Sequence, residues 1–297
     1  MKVHLHADDA GIGESATQLI LDGWARRIIG GFGIVSNKAC MSQISEALNR
    51  YQELPCTISA HLNLTDGFAL LKYENGSTIM DKDGRLKTSF LEALFILLKG
   101  GSIKQRFLEE VYQEWDLQIA YLKHVCQGRD VDVINGHNHM HMLPSLFNIA
   151  VSLADKHNIK YIRVVDERLF LANLSDMFMP FFWINLCKWV VLKLCLRRIK
   201  KQQHSYKAFT QKVFGVLYSG HMTTSAIKKY FSKLRNDGVK SLEVIVHPGL
   251  SLSKEMDKWA SRSSAKRFFI SKERIKEMST LNQLQSENVF SNYNSGS

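Results

Sequence analysis

The chain has 297 residues, 45% of them hydrophobic, which is enough for one full core of the size an α/β barrel needs. Its formal charge of +11 predicts attraction to anionic surfaces, but no helix-turn-helix, zinc finger or aromatic RNP-like run accompanies it, which argues against nucleic acid as a partner. Five scattered cysteines without CxxC spacing argue against a disulfide framework or a zinc–thiolate site, and point to a reducing, cytoplasmic compartment.

The chain opens on Val3-His4-Leu5, read as a strand, so no secretory signal is expected there. A helix is predicted over 15–27, closed by Gly30-Gly31, then a short strand at 33–35 and a helix over 42–54 stopped by Pro55. Thr57-Ile58-Ser59 reads as a third strand. Residues 65–101 have weak periodicity and several glycines, and are read as a lid or insertion. Ser102-Ile103-Lys104-Gln105 suits a capping box that opens a long helix to about Cys126. Strands at 131–134 and 161–165 flank a helix after Pro144. Further strands fall at 213–218 and 242–246, with a helix over 225–236 between them. About seven strands alternating with helices predict a parallel sheet covered by helices, as a divergent or irregular, TIM-barrel-like (β/α) barrel forming one domain over 1–278. The Ser- and Asn-rich stretch 279–297 is expected to be a flexible tail.

Four runs carry the chemistry, each where a strand should end: His6-Ala7-Asp8-Asp9-Ala10-Gly11, His61-Leu62-Asn63-Leu64-Thr65, Gly136-His137-Asn138-His139-Met140-His141-Met142-Leu143-Pro144, and His247-Pro248-Gly249. Strand ends of parallel α/β sheets converge on one face, so these side chains can meet in one cleft. Neighbouring strand residues point to opposite faces, which gives Asp8 and Asp9 different roles, one ligating a metal and one held beside it as a base. Taken alone, the Asp-Asp-x-Gly run also suits a capped turn, and a lone His61 suits a satisfied core residue. His137, His139 and His141 shift that balance, since alternate positions of an extended segment share a face and three buried imidazoles need a partner. Two histidines with a carboxylate match the make-up of a catalytic zinc site with one position open to water. His247 is a candidate general acid.

Together these runs resemble the YdjC/ChbG family of carbohydrate deacetylases, and within it the hopanoid-biosynthesis-associated (HpnK-like) branch. The family pattern reads Asn-Ala-Asp-Asp-x-Gly, then His-x-x-Leu-Thr, then Asp-Ser-His-x-His-x-His-x-x-Pro, an Arg after the next strand, and His-Pro. Here it runs through His6 to Gly11, His61 to Thr65, Asn135 to Pro144, Arg163 and His247-Pro248, and Phe214-Gly215 through Ser219-Gly220-His221-Met222-Thr223 adds to the likeness. The resemblance covers the chain from its start to about residue 275. It implies a divergent barrel and metal-dependent hydrolysis of the N-acetyl group of an amino sugar, with one divalent ion, Zn2+ or Mg2+. Position by position it implies Asp9, His61 and His137 as metal ligands, Asp8 as general base, His247 as general acid and Arg163 as an orienting or charge-stabilising residue. His139, His141 and Asn63 are expected to bind substrate, or in the case of the histidines to stand behind the ligands. Two departures, His6 for Asn and Asn135-Gly136 for Asp-Ser, touch no implied ligand and are expected to retune the surroundings of the centre. A phosphoesterase on the same ligands, or a non-catalytic glycan- or membrane-binding homologue, are the competing readings.

One further stretch lies outside these motifs. Within an amphipathic helix expected over 176–204, residues 181–196 are almost continuously apolar, broken by Asn185, Lys188 and Lys193. They are too few and too charged to span roughly 30 Å of hydrocarbon. In projection Asn185, Lys188, Lys193, Arg197 and Lys200 share one side, leaving a broad apolar face. That face either packs on the sheet or seats the protein peripherally on an anionic membrane surface, at the inner side of the cytoplasmic membrane. A homodimer is compatible with the sequence.

Overall fold

The computed structural model describes residues 1–36, 40–202, 205–249, 253–259, 263–287 and 289. Strands β1 (Lys2–Ala10), β2 (Gly31–Ile34), β3 (Thr57–Leu62), β4 (Val133–Gly136), β5 (Tyr161–Ile162), β6 (Lys212–Phe214) and β7 (Ser241–Val246) form one sheet in the order β5-β4-β3-β2-β1-β7-β6. Every pairing is parallel. The two edge strands approach each other. Ile162 makes an isolated parallel bridge to Ala208, and the Val213 N–H donates to the Asp166 carbonyl at 3.4 Å, so the sheet curls toward a barrel. Strands buried on both faces are apolar without alternation, which is why Val244-Ile245-Val246 reads as a continuous run.

Helices α1 (Glu14–Ala25), α2 (Met41–Arg50), α3 (Phe90–Lys99), α4 (Gly101–Cys126), α5 (Pro144–Lys156), α6 (Pro180–Lys201) and α7 (Thr224–Asn236) follow the strands and cover the sheet. Pro144 starts α5 at a position whose N–H has no helical partner, and the Thr223 hydroxyl caps α7 by accepting the Ala226 N–H. After β7 come α8 (Ser253–Trp259), α9 (Ser263–Phe269) and α10 (Lys272–Ser286).

The expected divergent (β/α) barrel architecture and strand count are therefore observed, with several local corrections. The capping box does not open α4, which starts after Gly100 with no side-chain cap. It belongs to Ser89 and Glu92, at the start of α3 within the expected insertion. Before α3, residues 66–89 are irregular apart from two antiparallel bridges, Phe68 to Arg85 and Met80 to Leu86. Residues 279–286, assigned to a tail, form the last turns of α10, with Leu281 and Leu284 in the core. Cys126 and Cys195 are buried, but Cys187 is exposed; none is disulfide-bonded.

The stretch at 181–196 departs from the expected projection, in which Asn185, Lys188, Lys193, Arg197 and Lys200 share one side. The 3-10 turn η2 (Leu174–Phe178) precedes α6. The inner side of α6 buries Phe182, Leu192, Leu196 and Ile199 together with Asn185, whose amide donates to the carbonyls of Leu217 and Ser219. Lys193 also turns inward, onto Asp166. Trp183, Ile184, Val190 and Leu194 remain exposed. The helix is apolar on two sides because polar residues on its inner face have buried partners. Among the described residues, no helix is long and apolar enough to cross a membrane.

Candidate metal centre

The site starts from an irregularity in β1. Its register with β2 runs through His6–Gly31 and Ala7–Phe32 and resumes at Ala10–Ile34, so β1 holds one residue more than its partner there. Such a bulge breaks the alternation of side chains and re-aims them. Asp9 accommodates it with a φ of 72°, in the left-handed region that Asp tolerates better than most residues. Both carboxylates consequently reach one buried centre. The His61 Nδ1 lies 3.9 Å from an Asp8 oxygen, and its Nε2 lies 3.5 Å from Asp9 Oδ1. Gly33 lies opposite the bulge, and a Cβ there would stand 3.0 Å from Asp8 Oδ1.

Asp9, His61 and His137 form a group that can hold a metal ion. One ligand atom from each lies within 4.8 Å of the other two, and all three side chains are buried. His61 is the penultimate residue of β3, and His137 opens the 3-10 turn η1 (His137–Met142) that follows β4. The His137 Nδ1 is 3.0 Å from Asp9 Oδ1. Burial alone would make His137 less basic and Asp9 less acidic. Their mutual attraction outweighs it, so the imidazole is shifted up and the carboxyl well below the usual carboxylate range. The far side of His61 is held as well, with its Nδ1 2.9 Å from Asn135 Oδ1. A proton on Nδ1 leaves the Nε2 lone pair facing Asp9, which is how metal-binding imidazoles are commonly oriented. A carboxylate and two imidazoles around one point suit a zinc-like divalent ion, so the donor set fits the cofactor that the motifs imply.

Asp8 faces a different neighbour. Its two oxygens accept from Arg163 Nη1 at 2.6 Å and Nη2 at 3.0 Å, and Asn135 Nδ2 donates to Oδ1 at 3.2 Å. Arg163, fully buried just after β5, also bonds both oxygens of Glu243 on β7. Burial pushes Asp8 up, yet the guanidinium and the nearby imidazoles hold the carboxyl far below its ordinary range. This environment favours the ionised form of Asp8. His6 fills the space between Ser59, Glu243 and Asp8 and is kept neutral by burial.

The three histidines after β4 do not lie on an extended segment. Asn138 and His139 have φ of 52° and 56°, so the chain turns and the imidazoles diverge. His137 joins the centre. His141 is fully buried, with Nε2 2.9 Å from the Arg163 carbonyl, behind the ligands rather than facing a groove. His139 is partly exposed, its Nδ1 has no partner among the described residues, and burial, followed by the nearby His141 and Arg163, lowers its imidazole. Asn63 organises its own loop, its side chain bonding the Asp66 carbonyl and the Thr65 N–H.

His247 also reaches this neighbourhood. Burial lowers its imidazole to about 4, although Asp9 and Asp8 pull the other way, and its Nδ1 has no partner among the described residues. Its N–H donates to Glu277 Oε2 at 2.6 Å, while Glu277 Oε1 accepts from the Gly220 N–H. The same C-terminal segment supplies Arg274, whose Nη1 bonds Asp9 Oδ2, and Phe269, which stacks on His137 with ring centroids 6.0 Å apart. Sequence reasoning missed Glu243, Arg274 and Glu277. A charge inside Leu242-Glu243-Val244 was a usable signal, since a carboxylate in a buried strand requires a partner. Arg274 and Glu277 sit among many charged residues of α10, and nothing in their spacing distinguishes them.

The family profile described as YdjC-like protein matches residues 2–291. A carbohydrate deacetylase of Danio rerio is 27% identical over 56% of this chain and 50% of its own length. Carbohydrate deacetylase 1 of Listeria innocua is 26% identical over 62% of this chain and 70% of its own. The chain thus matches only half of the length of the first of these relatives. Among solved structures, a protein of Enterococcus faecalis V583 named for cellobiose-phosphate cleavage superposes with a TM-score of 0.69. It shares 18% identity over 98% of this chain and 94% of that one, a likeness of fold.

Proposed function

The chain belongs to the YdjC-like family, and on that premise we propose that it is a metal-dependent hydrolase removing the N-acetyl group of an amino sugar. The observation that carries this reading is the buried Asp9, His61 and His137 group set beside the Arg163-bound Asp8. The names of the two relatives support the substrate class.

Asp9, His61 and His137 would hold one divalent ion, Zn2+ or Mg2+. Such an ion, when bound, brings the pKa of a water to about 7 and polarises a carbonyl oxygen. Asp8 is placed to receive the proton of the attacking water. Arg163 keeps it ionised and fixes both its oxygens, acting as a positioning residue. A carboxylate that acidic does not retain a proton. His247, neutral and with an Nδ1 that has no partner among the described residues, takes it up and delivers it to the departing nitrogen. His139, partly exposed beside them, contacts the sugar. His141 and Asn63 act indirectly, by bracing the turn and the loop that carry the ligands. Residues 65–101 serve as the lid, since Gly67 donates to the Trp259 carbonyl at 2.9 Å on the side where β3 ends. Products are acetate and a free amino sugar, carried on a soluble oligosaccharide or on a lipid.

The test is acetate release from N-acetylated sugars, free and lipid-linked, with zinc or magnesium supplied and then removed by a chelator. Chelator-sensitive release supports the reading. Phosphate release from simple esters in place of acetate would replace it with a phosphoesterase, and neither product would leave a binding protein.

A further inference from the structure

We infer that the outer face of η2 and α6 is a docking surface for an anionic lipid bilayer. Leu174 and Phe178, at the tip of η2, are 79% and 87% exposed, and the surface continues along α6 through Trp183, Ile184, Val190 and Leu194. Positions three and four apart share a helical face, so Trp183, Val190 and Leu194 form one stripe, and its next members are Arg197 and Lys201. Arg198 stands beside them. These three cations are exposed and make no ion pair among the described residues. The stripe therefore changes from aromatic and aliphatic to cationic along a single helix.

That change selects the occupant. A second copy docked in parallel would set Arg197 and Lys201 against their like. A bilayer with anionic headgroups accommodates both ends, since the apolar side chains enter the acyl boundary while the cations remain among phosphates. Inner polar residues do not compete for this face, because Asn185 and Lys193 are held inside by Leu217, Ser219 and Asp166. Large exposed apolar surfaces rimmed by charge are uncommon on proteins that make no such contact.

The surface also starts close to the candidate centre. Phe181, at the beginning of α6, stacks on His221 with ring centroids 3.9 Å apart and planes 6° from parallel. The adjoining Gly220 N–H donates to Glu277, whose other oxygen accepts the His247 N–H. The substrate class that such a surface presents is an acylated amino sugar on a lipid anchor. That substrate assignment rests on the deacetylase reading, whereas the binding itself does not.

The experiment is co-sedimentation of the full chain with vesicles of phosphatidylcholine, with and without phosphatidylglycerol. Binding should require the anionic lipid and weaken as salt is raised. Phe178→Ser with Trp183→Ser should reduce it by about tenfold or more, because two large apolar side chains no longer leave water. Arg197→Glu with Arg198→Glu should reduce it similarly, with circular dichroism and acetate release from free sugars unchanged. Absence of binding to anionic vesicles at low salt overturns the inference, as does insensitivity to both pairs of substitutions. A stable dimer in light scattering that the serine variants dissociate also overturns it. Vesicle binding without acetate release would defeat the deacetylase reading alone, and release from free sugars without vesicle binding would defeat this inference alone.

Discussion

The Arg274 guanidinium donates through Nη1 to Asp9 Oδ2 at 3.0 Å, joining α10 to the end of β1 across 265 residues of sequence. Both side chains are about 1% exposed, and Arg274 Nε is anchored on the Gly249 carbonyl. One oxygen of Asp9 is therefore held by a fixed cation, while the other faces His61 and His137. Arg274 Nη2 is buried and has no partner among the described residues. Before any ion binds, the charge of Asp9 is balanced by Arg274 together with His137.

Replacing Arg274 by Met should thus destabilise the ion-free protein, toward the low end of the roughly 3–5 kcal/mol that breaking a buried pair costs, since His137 still compensates. Added zinc should restore much of the loss, because it supplies the missing countercharge and binds only the folded state. Denaturant titrations with and without zinc check this. An equal deficit under both conditions would show that Arg274 acts on folding without reference to the centre.

His61→Ala, His137→Ala and Asp9→Ala should each abolish both bound metal, measured after equilibrium dialysis, and turnover. A full metal equivalent in His61→Ala would mean that the ligand set is wrong.

Asp8→Asn should retain the ion and lose turnover, since Asp8 is bound by Arg163 and is not itself one of the three donors. Loss of metal together with activity would reverse the roles given to Asp8 and Asp9. Dialysis followed by an acetate assay distinguishes the two outcomes.

Asn135→Ala should weaken ion binding by about 10–100-fold, because the His61 Nδ1 loses the oxygen that orients the ring. Titration with zinc, followed by calorimetry, measures it. Unchanged affinity would show that β3 alone holds His61 in place.

Glu167 gives a pH dependence away from the centre. Burial raises its carboxyl to about 8 from 4.5, although the N–H groups of Val216 and Leu217 donate to it. The folded state binds this proton more tightly than the unfolded chain. Its stabilising contribution is complete below about 4.5 and is lost as pH rises through about 8, an effect on the order of a few kcal/mol. Glu167→Gln should flatten stability over that interval in chemical denaturation, and a variant as steep as the parent would refute the assignment.

Much of the fold was legible in the sequence because its signals are local. Apolar, β-branched runs such as Val244-Ile245-Val246 mark buried strands, and Pro144 and the glycines after β1 mark where elements start and stop. Residue types and strand-end positions likewise pointed to a shared centre, and the resemblance singled out Asp9, His61 and His137 within it. The backbone device that brings Asp8 and Asp9 to one centre was not legible, because it is a one-residue bulge that exists only when β1 pairs with β2. Nor was the divergence of His137, His139 and His141, which follows from two left-handed residues rather than from an extended segment. Arg274 and Glu277 acquire meaning only when α10 packs beside β1 and β7, since charge pairs between distant segments leave no periodicity in a chain. The exposed stripe of α6 was decided in the same way: helical spacing defines its faces, but buried partners for Asn185 and Lys193 determine which face meets solvent.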